Sequence, residues 1–188
     1  MNAAVELELE ALAETLRAST VAVRAGRDGA GSGVIWASDG AIVTNAHVAS
    51  RPYAEVILSD GRRFTAQVER RDPRRDLALL RIDARMLPAA HVRDPRDLRP
   101  GELLVAVGHP LGIPNALSMG IAHAAFGNGS RFVVADLRLA PGNSGGPLAD
   151  ARGRVVGINS MVAGGGLALA VPSDEVIRFV RVASARAA

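Results

Sequence analysis

"APGNSGGPLADARGRVVGIN", residues 140–159, sets one serine, Ser144, between glycines and prolines, then returns to a strand-like run, Val155-Val156-Gly157-Ile158. Glycine reaches positive φ without steric cost and lets backbone N–H groups crowd round a small group. Ser144 is therefore either an ordinary turn residue or a hydroxyl placed among backbone donors. The rest of the chain decides between the two.

A serine hydroxyl is a poor nucleophile until a neighbouring base takes its proton, and that base needs an orienting acid. The histidines His47, His91, His109 and His123 all precede Ser144. "GNSGG" fits the G-x-S-x-G elbow of α/β-hydrolases, but there the triad histidine follows the serine. No histidine follows Ser144, so that reading fails. The Asp…His…Ser order of subtilisin would need an early acid such as Asp28 or Asp39 and a helix after the serine. Here "GGPLADARGRVVGIN" reads as strand, turn, strand. The order His…Asp…Ser of the chymotrypsin-like double barrel remains.

Among the histidines, His47 closes "GAIVTNAHV", where a strand gives way to a turn, and so is expected to project from a barrel rim. His109 lies in the turn "GHPLG" and is expected to face solvent. His91 precedes a loop rich in proline and arginine, and His123 sits in a run of alanines as a core or rim histidine. Asp76 opens "DLALL" at the mouth of a strand. Its structural alternative is a strand-start cap or a partner for Arg74 or Arg75.

From about Thr20 the chain is made of short apolar runs punctuated by glycine, which argues for barrels or sandwiches rather than βαβ units. "SDGRR" reads as a hairpin turn, because Asp-Gly tolerates the positive φ that tight hairpins demand, and "ADARGR" as another. Val5, Leu9, Leu12 and Leu16 recur at helical spacing, which predicts an amphipathic helix over 2–18 with Asn2 as N-cap. A second helix is predicted over 173–184, capped by Ser173, with Val176, Ile177 and Val180 on its apolar face. The expected organisation is one domain, 1–188. It holds a first barrel over about 19–95 and a second over about 96–172, with the boundary near Pro88–Pro100 and no visible internal repeat.

Hydrophobic residues are 48% of the chain but aromatics only 3%, so the core must be mainly Val, Leu, Ile and Ala. No apolar run approaches the roughly 20 residues that span a bilayer. The start, "MNAAVELELEALAETL", is acidic and lacks the basic region of a signal peptide. The expected compartment is the periplasm, or export elsewhere, if a leader has been removed, and the cytoplasm if the chain is complete. With no cysteine there is no disulfide, thiol chemistry or cysteine-ligated zinc, and no cofactor or metal is called for. Net charge is +3 although the pI is about 10.7, because all 22 basic residues are arginine. The cluster "RRDPRR", Arg70–Arg75, is the one candidate contact for nucleic acid or anionic lipid. It is interrupted by Asp72 and carries no interleaved stacking aromatics, so no nucleic-acid partner is expected.

"TNAHV", "DLALL" and "GNSGGPL" together resemble the three signature segments of trypsin-like serine proteases, most closely the HtrA/Deg branch. "GSGVIWASDGAIVTNAHV" is similar to that branch's first-barrel entry, "GHPLGIPNALSMGIAHA" to its inter-barrel segment, and "GLALAVPSDEVIRFV" to its closing strand and helix. The resemblance runs from about Ser19 to Val180. It implies an all-β fold of two six-stranded antiparallel barrels with a helix at each end. It also implies a serine endopeptidase acting on unfolded or exposed polypeptides in protein quality control.

The roles it implies are His47 as general base and then acid, Asp76 as its orienter, and Ser144 as nucleophile. The backbone N–H groups of Gly142 and Ser144 would form the oxyanion hole, and Gly145 and Gly146 would leave room for substrate. Leu139, Ile158, Asn159 and Ser160 would line a small substrate pocket taking Val, Ala, Leu or Ile. "DLRLAPGNS" has no acid at the position that gives trypsin its basic preference; Arg138 would otherwise favour an acidic side chain. Asn143 replaces the aspartate that pairs with a new N-terminus in digestive proteases, so no zymogen cleavage is expected. Control would then fall to the loops around Ala140–Gly142 and Val162–Gly166, the latter containing "AGGGL". The branch usually adds a PDZ domain and often forms a homo-oligomeric trimer. This chain ends after its last helix, and its N-terminal helix lacks the aromatics often used in trimer contacts. A catalytically silent peptide-binding or chaperone-like module is the alternative from another class.

Overall fold

In a computed structural model the described residues are 3–26, 29–124 and 131–184. The elements run α1 (Ala3–Ala18), β1 (Thr20–Ala25), β2 (Gly29–Ile35), β3 (Ala41–Thr44), β4 (Tyr53–Ile57), β5 (Arg63–Asp72) and β6 (Leu77–Arg81). They continue with β7 (Leu103–Gly108), β8 (Ala116–Ala122), β9 (Val133–Asp136), β10 (Pro147–Asp150), β11 (Val155–Val162), β12 (Ala168–Pro172) and α2 (Ser173–Ser184). β1 to β6 close one antiparallel barrel in the order β1-β2-β3-β6-β5-β4. β7 to β12 close a second in the order β10-β11-β12-β9-β8-β7. Read from its first strand, each barrel has the same order, so the fold is duplicated although the sequence shows no repeat.

The strands alternate, but on two apolar faces. In β3 and β6, Ile42 and Leu80 point into the first barrel with Val21, Val23, Ile35 and Val56. Their neighbours Val43, Leu77 and Leu79 face the other way, onto Val155, Ile158 and Val171 of the second barrel and Val176 and Phe179 of α2. That is why "AIVT" is buried at every position. A period-2 strand loses its polar face when both faces are covered. Phe179, 1% exposed, is the large anchor of α2. The face packed on the inter-barrel core is Val176, Phe179 and the half-buried Val180; Ile177, also half-buried, is not part of that cluster. Ser173 does more than start the helix: its hydroxyl donates to the Arg93 carbonyl at 2.6 Å, tying α2 to the inter-barrel segment.

α1 precedes the first barrel in sequence yet packs on the second. Leu12 and Leu16 lie against Val105, Val107 and Ala149, with Leu117 beside them. Val5 and Leu7, at 43% and 66% exposure, stand clear of that contact, so only the C-terminal half of the amphipathic stripe is buried. The Asn2 cap lies outside the described residues.

Both expected turns form. In "SDGRR" Gly61 takes φ +87°, Leu58 N–H donates to Arg62 O at 2.9 Å, and Asp60 accepts from Arg62 N–H at 3.0 Å. In "ADARGR" Asp150 accepts from the N–H groups of Arg152 and Arg154 at 2.9 and 3.0 Å. Several arginines of "RRDPRR" are used internally. Arg70 lies 4.7 Å over the Phe179 ring and donates to its carbonyl, Arg71 donates to the Ala46 carbonyl at 2.8 Å, and Arg75 pairs with Asp72 and Glu175.

Candidate active site

Strand pairing brings the first two side chains together. β3 and β6 are adjacent, with Thr44 opposite Ala78, so the turn after β3 and the residue before β6 meet at one rim of the barrel. His47 Nδ1 lies 2.9 Å from both carboxylate oxygens of Asp76, and the His47 backbone N–H donates to Oδ1 at 3.1 Å. A ring nitrogen facing a carboxylate carries the hydrogen, which leaves Nε2 with its lone pair. Asp76 has φ +53°, a left-handed conformation that Asp tolerates better than most residues. Its carbonyl is held by Asn45 Nδ2 at 2.9 Å. Burial opposes ionisation of Asp76, but the hydrogen bonds from His47 and Ser160 outweigh it and hold the carboxyl below its ordinary range.

The second barrel supplies the rest. Pairing of β10 with β11 is extended by Gly145 N–H to Asn159 O and Asn159 N–H to Gly146 O, at 2.8 and 2.9 Å, which seats Ser144 beside Ser160. The Ser160 hydroxyl donates to Asp76 Oδ2 at 2.6 Å, and the Ser144 hydroxyl donates to the Ser160 carbonyl at 3.2 Å. Ser160, expected in a substrate pocket, thus links the serine loop to the acid. A Cβ added at Gly31 would meet Val48 at 2.7 Å and the Ser144 carbonyl at 2.8 Å, so the segment after His47 and the serine loop converge on one spot. Among the described residues no hydrogen bond joins His47 to Ser144.

The loop's N–H groups divide into two sets. Those of Asn143, Gly145 and Gly146 donate to Ala140, Asn159 and Asn143 carbonyls. Those of Gly142 and Ser144 have no acceptor among the described residues. Gly142 has φ +107°, and a Cβ there would sit 2.3 Å from the His109 carbonyl. Gly145 and Gly146 are not glycine to make room for a substrate. Their Cβ positions would meet Ser32 O at 2.1 Å and Val107 O at 2.3 Å, so the protein's own backbone fills that space.

Of the pocket residues, Ile158 is 0% exposed and packs in the inter-barrel core, where it has no surface to offer a substrate. Asn159, also fully buried, donates from Nδ2 to the Pro147 carbonyl at 2.9 Å, while its Oδ1 has no partner among the described residues. Leu139 is half-buried against the second-barrel core, and Arg138 is exposed. His91 and His123 are exposed, away from the core. His109, expected in solvent, is half-buried at the barrel seam with Nδ1 3.1 Å from Ser32 Oγ. Burial, aided by Arg24, lowers its pKa. Ser32 and His109 carry no sequence signal for this contact, because they lie 77 residues apart on different barrels. Among the described residues no cluster of His, Asp and Glu is arranged to hold a metal, and no helix is long and apolar enough to cross a membrane.

Two closed barrels with a histidine, an aspartate and a glycine-flanked serine at their seam define the chymotrypsin-like fold class. The sequence model of the trypsin-like peptidase domain matches residues 31–158, and the chain belongs to that family. It is similar to Serine protease HTRA1B of Danio rerio, at 37% identity over 80% of this chain and 34% of that protein. A probable periplasmic serine endoprotease, DegP-like, of Marinomonas sp. is 41% identical over 82% of this chain and 35% of its own length. The chain therefore spans about a third of such relatives. In structure it resembles the HtrA-type protease AlgW with decapeptide, with a TM-score of 0.82 at 27% identity, covering 92% of this chain and 66% of that one.

Proposed function

We propose that this chain is a serine endopeptidase domain that cleaves unfolded or exposed polypeptides in protein quality control, through an acyl-enzyme on Ser144. The observation that carries the reading is the Asp76 carboxylate, which takes His47 Nδ1 at 2.9 Å and, through Ser160, reaches Ser144. With Nδ1–H bound to Asp76, Nε2 is the base. This reading requires the Ser144 hydroxyl to leave the Ser160 carbonyl for that nitrogen. Catalytic hydrogen bonds often tighten only when substrate is bound.

Ser144 Oγ adds to the scissile carbonyl as its proton passes to Nε2. The oxyanion so formed faces the N–H groups of Gly142 and Ser144. The imidazolium then protonates the leaving amine, and water repeats the sequence to release the acyl group. Losing one such oxyanion donor costs about 2.7–4 kcal/mol of transition-state stabilisation. Leu139, half-buried beside the second-barrel core, is the wall against which a small aliphatic side chain would lie. The relatives are proteases by name, and AlgW was solved with a decapeptide, which supports a polypeptide substrate.

A second reading, a catalytically silent peptide-binding module, is favoured by one observation: the Ser144 hydroxyl lies on Ser160 and not on His47. A fluorophosphonate probe separates the two. It labels wild-type protein at Ser144 and fails on His47→Ala if the domain is an active protease. A folded wild type that resists the probe and leaves denatured protein uncut overturns the proposal in favour of the silent module.

A further inference from the structure

We propose that Ser32, on β2 of the first barrel, and the His109–Leu111 turn are the positioning elements of the oxyanion pair. This inference rests on the protease reading above. Ser32 is fully buried and grips both members of the pair by their carbonyls. Its backbone N–H donates to Ser144 O at 2.8 Å, and its hydroxyl donates to Gly142 O at 2.8 Å. Its own carbonyl is anchored by Thr44 Oγ1 at 2.6 Å, three residues before His47. One residue of the first barrel therefore registers the second barrel's serine loop against the histidine's strand.

The hydrogen-bond capacity of the Ser32 hydroxyl sets the role of His109. Its single hydrogen goes to Gly142 O, and one lone pair takes the His109 backbone N–H at 3.0 Å. The second lone pair remains for His109 Nδ1 at 3.1 Å, so that nitrogen donates. If Nδ1 accepted instead, it would draw the Ser32 hydrogen away from Gly142.

The same turn fixes the adjacent peptide. Leu111 N–H donates to Pro141 O at 2.9 Å, and Leu111 adopts φ +54° to do so. In a trans peptide the N–H points opposite to the C=O. Holding the Pro141 carbonyl against Leu111 therefore turns Gly142 N–H to the other side, where it is left free for an oxyanion. His109 N–H adds a second, longer bond to Gly142 O at 3.3 Å. Both carbonyls flanking Gly142 are clamped from one turn and one serine.

The test compares wild type with Ser32→Ala, His109→Leu and His109→Asn. Ser32→Ala is expected to lower kcat about 10- to 100-fold on a peptide substrate with KM little changed. Affinity for a peptide boronate should fall by the same factor, while binding of uncleaved peptide in a Ser144→Ala background stays within twofold. His109→Leu should lose activity, and His109→Asn, whose amide can still donate to Ser32, should recover most of it. Hydrogen exchange supplies a readout that does not need activity: amides of residues 140–144 should exchange at least tenfold faster in Ser32→Ala. A folded Ser32→Ala with wild-type kcat, or with unchanged exchange in that loop, overturns the proposal. Failure of the wild type itself to react with fluorophosphonate strikes the protease reading instead, and the exchange result then decides the positioning claim alone.

Discussion

Ser160 and Asp76 meet across the seam of the two barrels, hydroxyl to carboxylate at 2.6 Å. The contact joins β11 to the residue before β6, 84 positions apart, and it completes the hydrogen-bond shell of the carboxylate that His47 leaves open. Asp76 is thus oriented from both barrels at once. Its position relative to His47 depends on how the barrels dock.

Removing that donor by Ser160→Ala should weaken the proposed peptidase activity without unfolding the chain. A hydrogen bond to a charged group is worth about 1.5–3 kcal/mol. Part of that is recovered by solvent, since the Asp76 side chain is 18% exposed. The expected result is a loss of kcat of about tenfold, about 1.4 kcal/mol in the barrier. Steady-state kinetics on a peptide ester beside a melting curve checks it, and a wild-type kcat would remove Ser160 from the site.

Gly145→Ala should act on the fold first. The new Cβ would sit 2.1 Å from Ser32 O and 2.2 Å from Thr44 Oγ1 at a φ of +85°. Overpacking against backbone with no room to yield costs about 3 kcal/mol or more. For a chain of this size that lowers Tm by about 6–12 °C. Calorimetry of the variant reads it directly. A change under 2 °C would mean that the serine loop is not pinned between the barrels.

Acid should destabilise the protein in two stages, a small one as unfolded His109 protonates and a large one below the ordinary carboxylate range. In Asp76 and Asp150 burial raises the pKa, but hydrogen bonds from His47 and Ser160, and from Arg154, outweigh it. Hydrogen bonding to Arg93 leads the lowering in Glu102, and hydrogen bonding to Arg96 takes the exposed Asp94 down to about 2. A carboxyl with a depressed folded pKa binds fewer protons folded than unfolded. Its stabilisation is therefore fully present above the unfolded value and is lost as pH falls through the folded one. Tm should begin to decline below about pH 6.5, where unfolded His109 takes up a proton that its buried folded form resists, and fall steeply below about pH 4. A melting series that stays level down to pH 2 would contradict this.

Asp150→Asn should loosen the tie between the inter-barrel segment and the second barrel. Asp150, 5% exposed at its side chain, pairs with Arg93 at 3.2 Å and Arg154 at 2.7 Å, while Arg93 also takes Glu102 at 2.6 Å. Breaking one member of a buried network costs about 3–5 kcal/mol. Glu102 stays behind to pair with Arg93, and Arg154 is 38% exposed, so the expected loss is about 2 kcal/mol. Denaturant unfolding at pH 7 measures it, with activity at low denaturant retained.

Much of the site was legible in the chain because its parts are local. A strand-end histidine, a strand-start aspartate and a serine between glycines each declare themselves within a few residues, and their order rejected the α/β-hydrolase and subtilisin arrangements. On α2 the expected face holds Val176 and Val180 but not Phe179, whose burial is decided by the inter-barrel core it plugs. The glycines after Ser144 suggest, by sequence alone, space for substrate. They are contact points where Ser32 and Val107 carbonyls approach, which no local pattern reports.

By itself the amino-acid sequence determined the strand-rich class, the hairpin turns, the two helices and the identity of the candidate reactive groups. These follow from periodicity, turn chemistry and side-chain type, all of which act over a few residues. Only the tertiary structure decided that α1 crosses to the second barrel and that the two barrels share one strand order. It alone decided that Ser32 holds Gly142 from 110 residues away and that His109 is buried beside it. Such contacts depend on barrel closure and docking. Many apolar sequences satisfy that geometry equally well, so none of them spells it out.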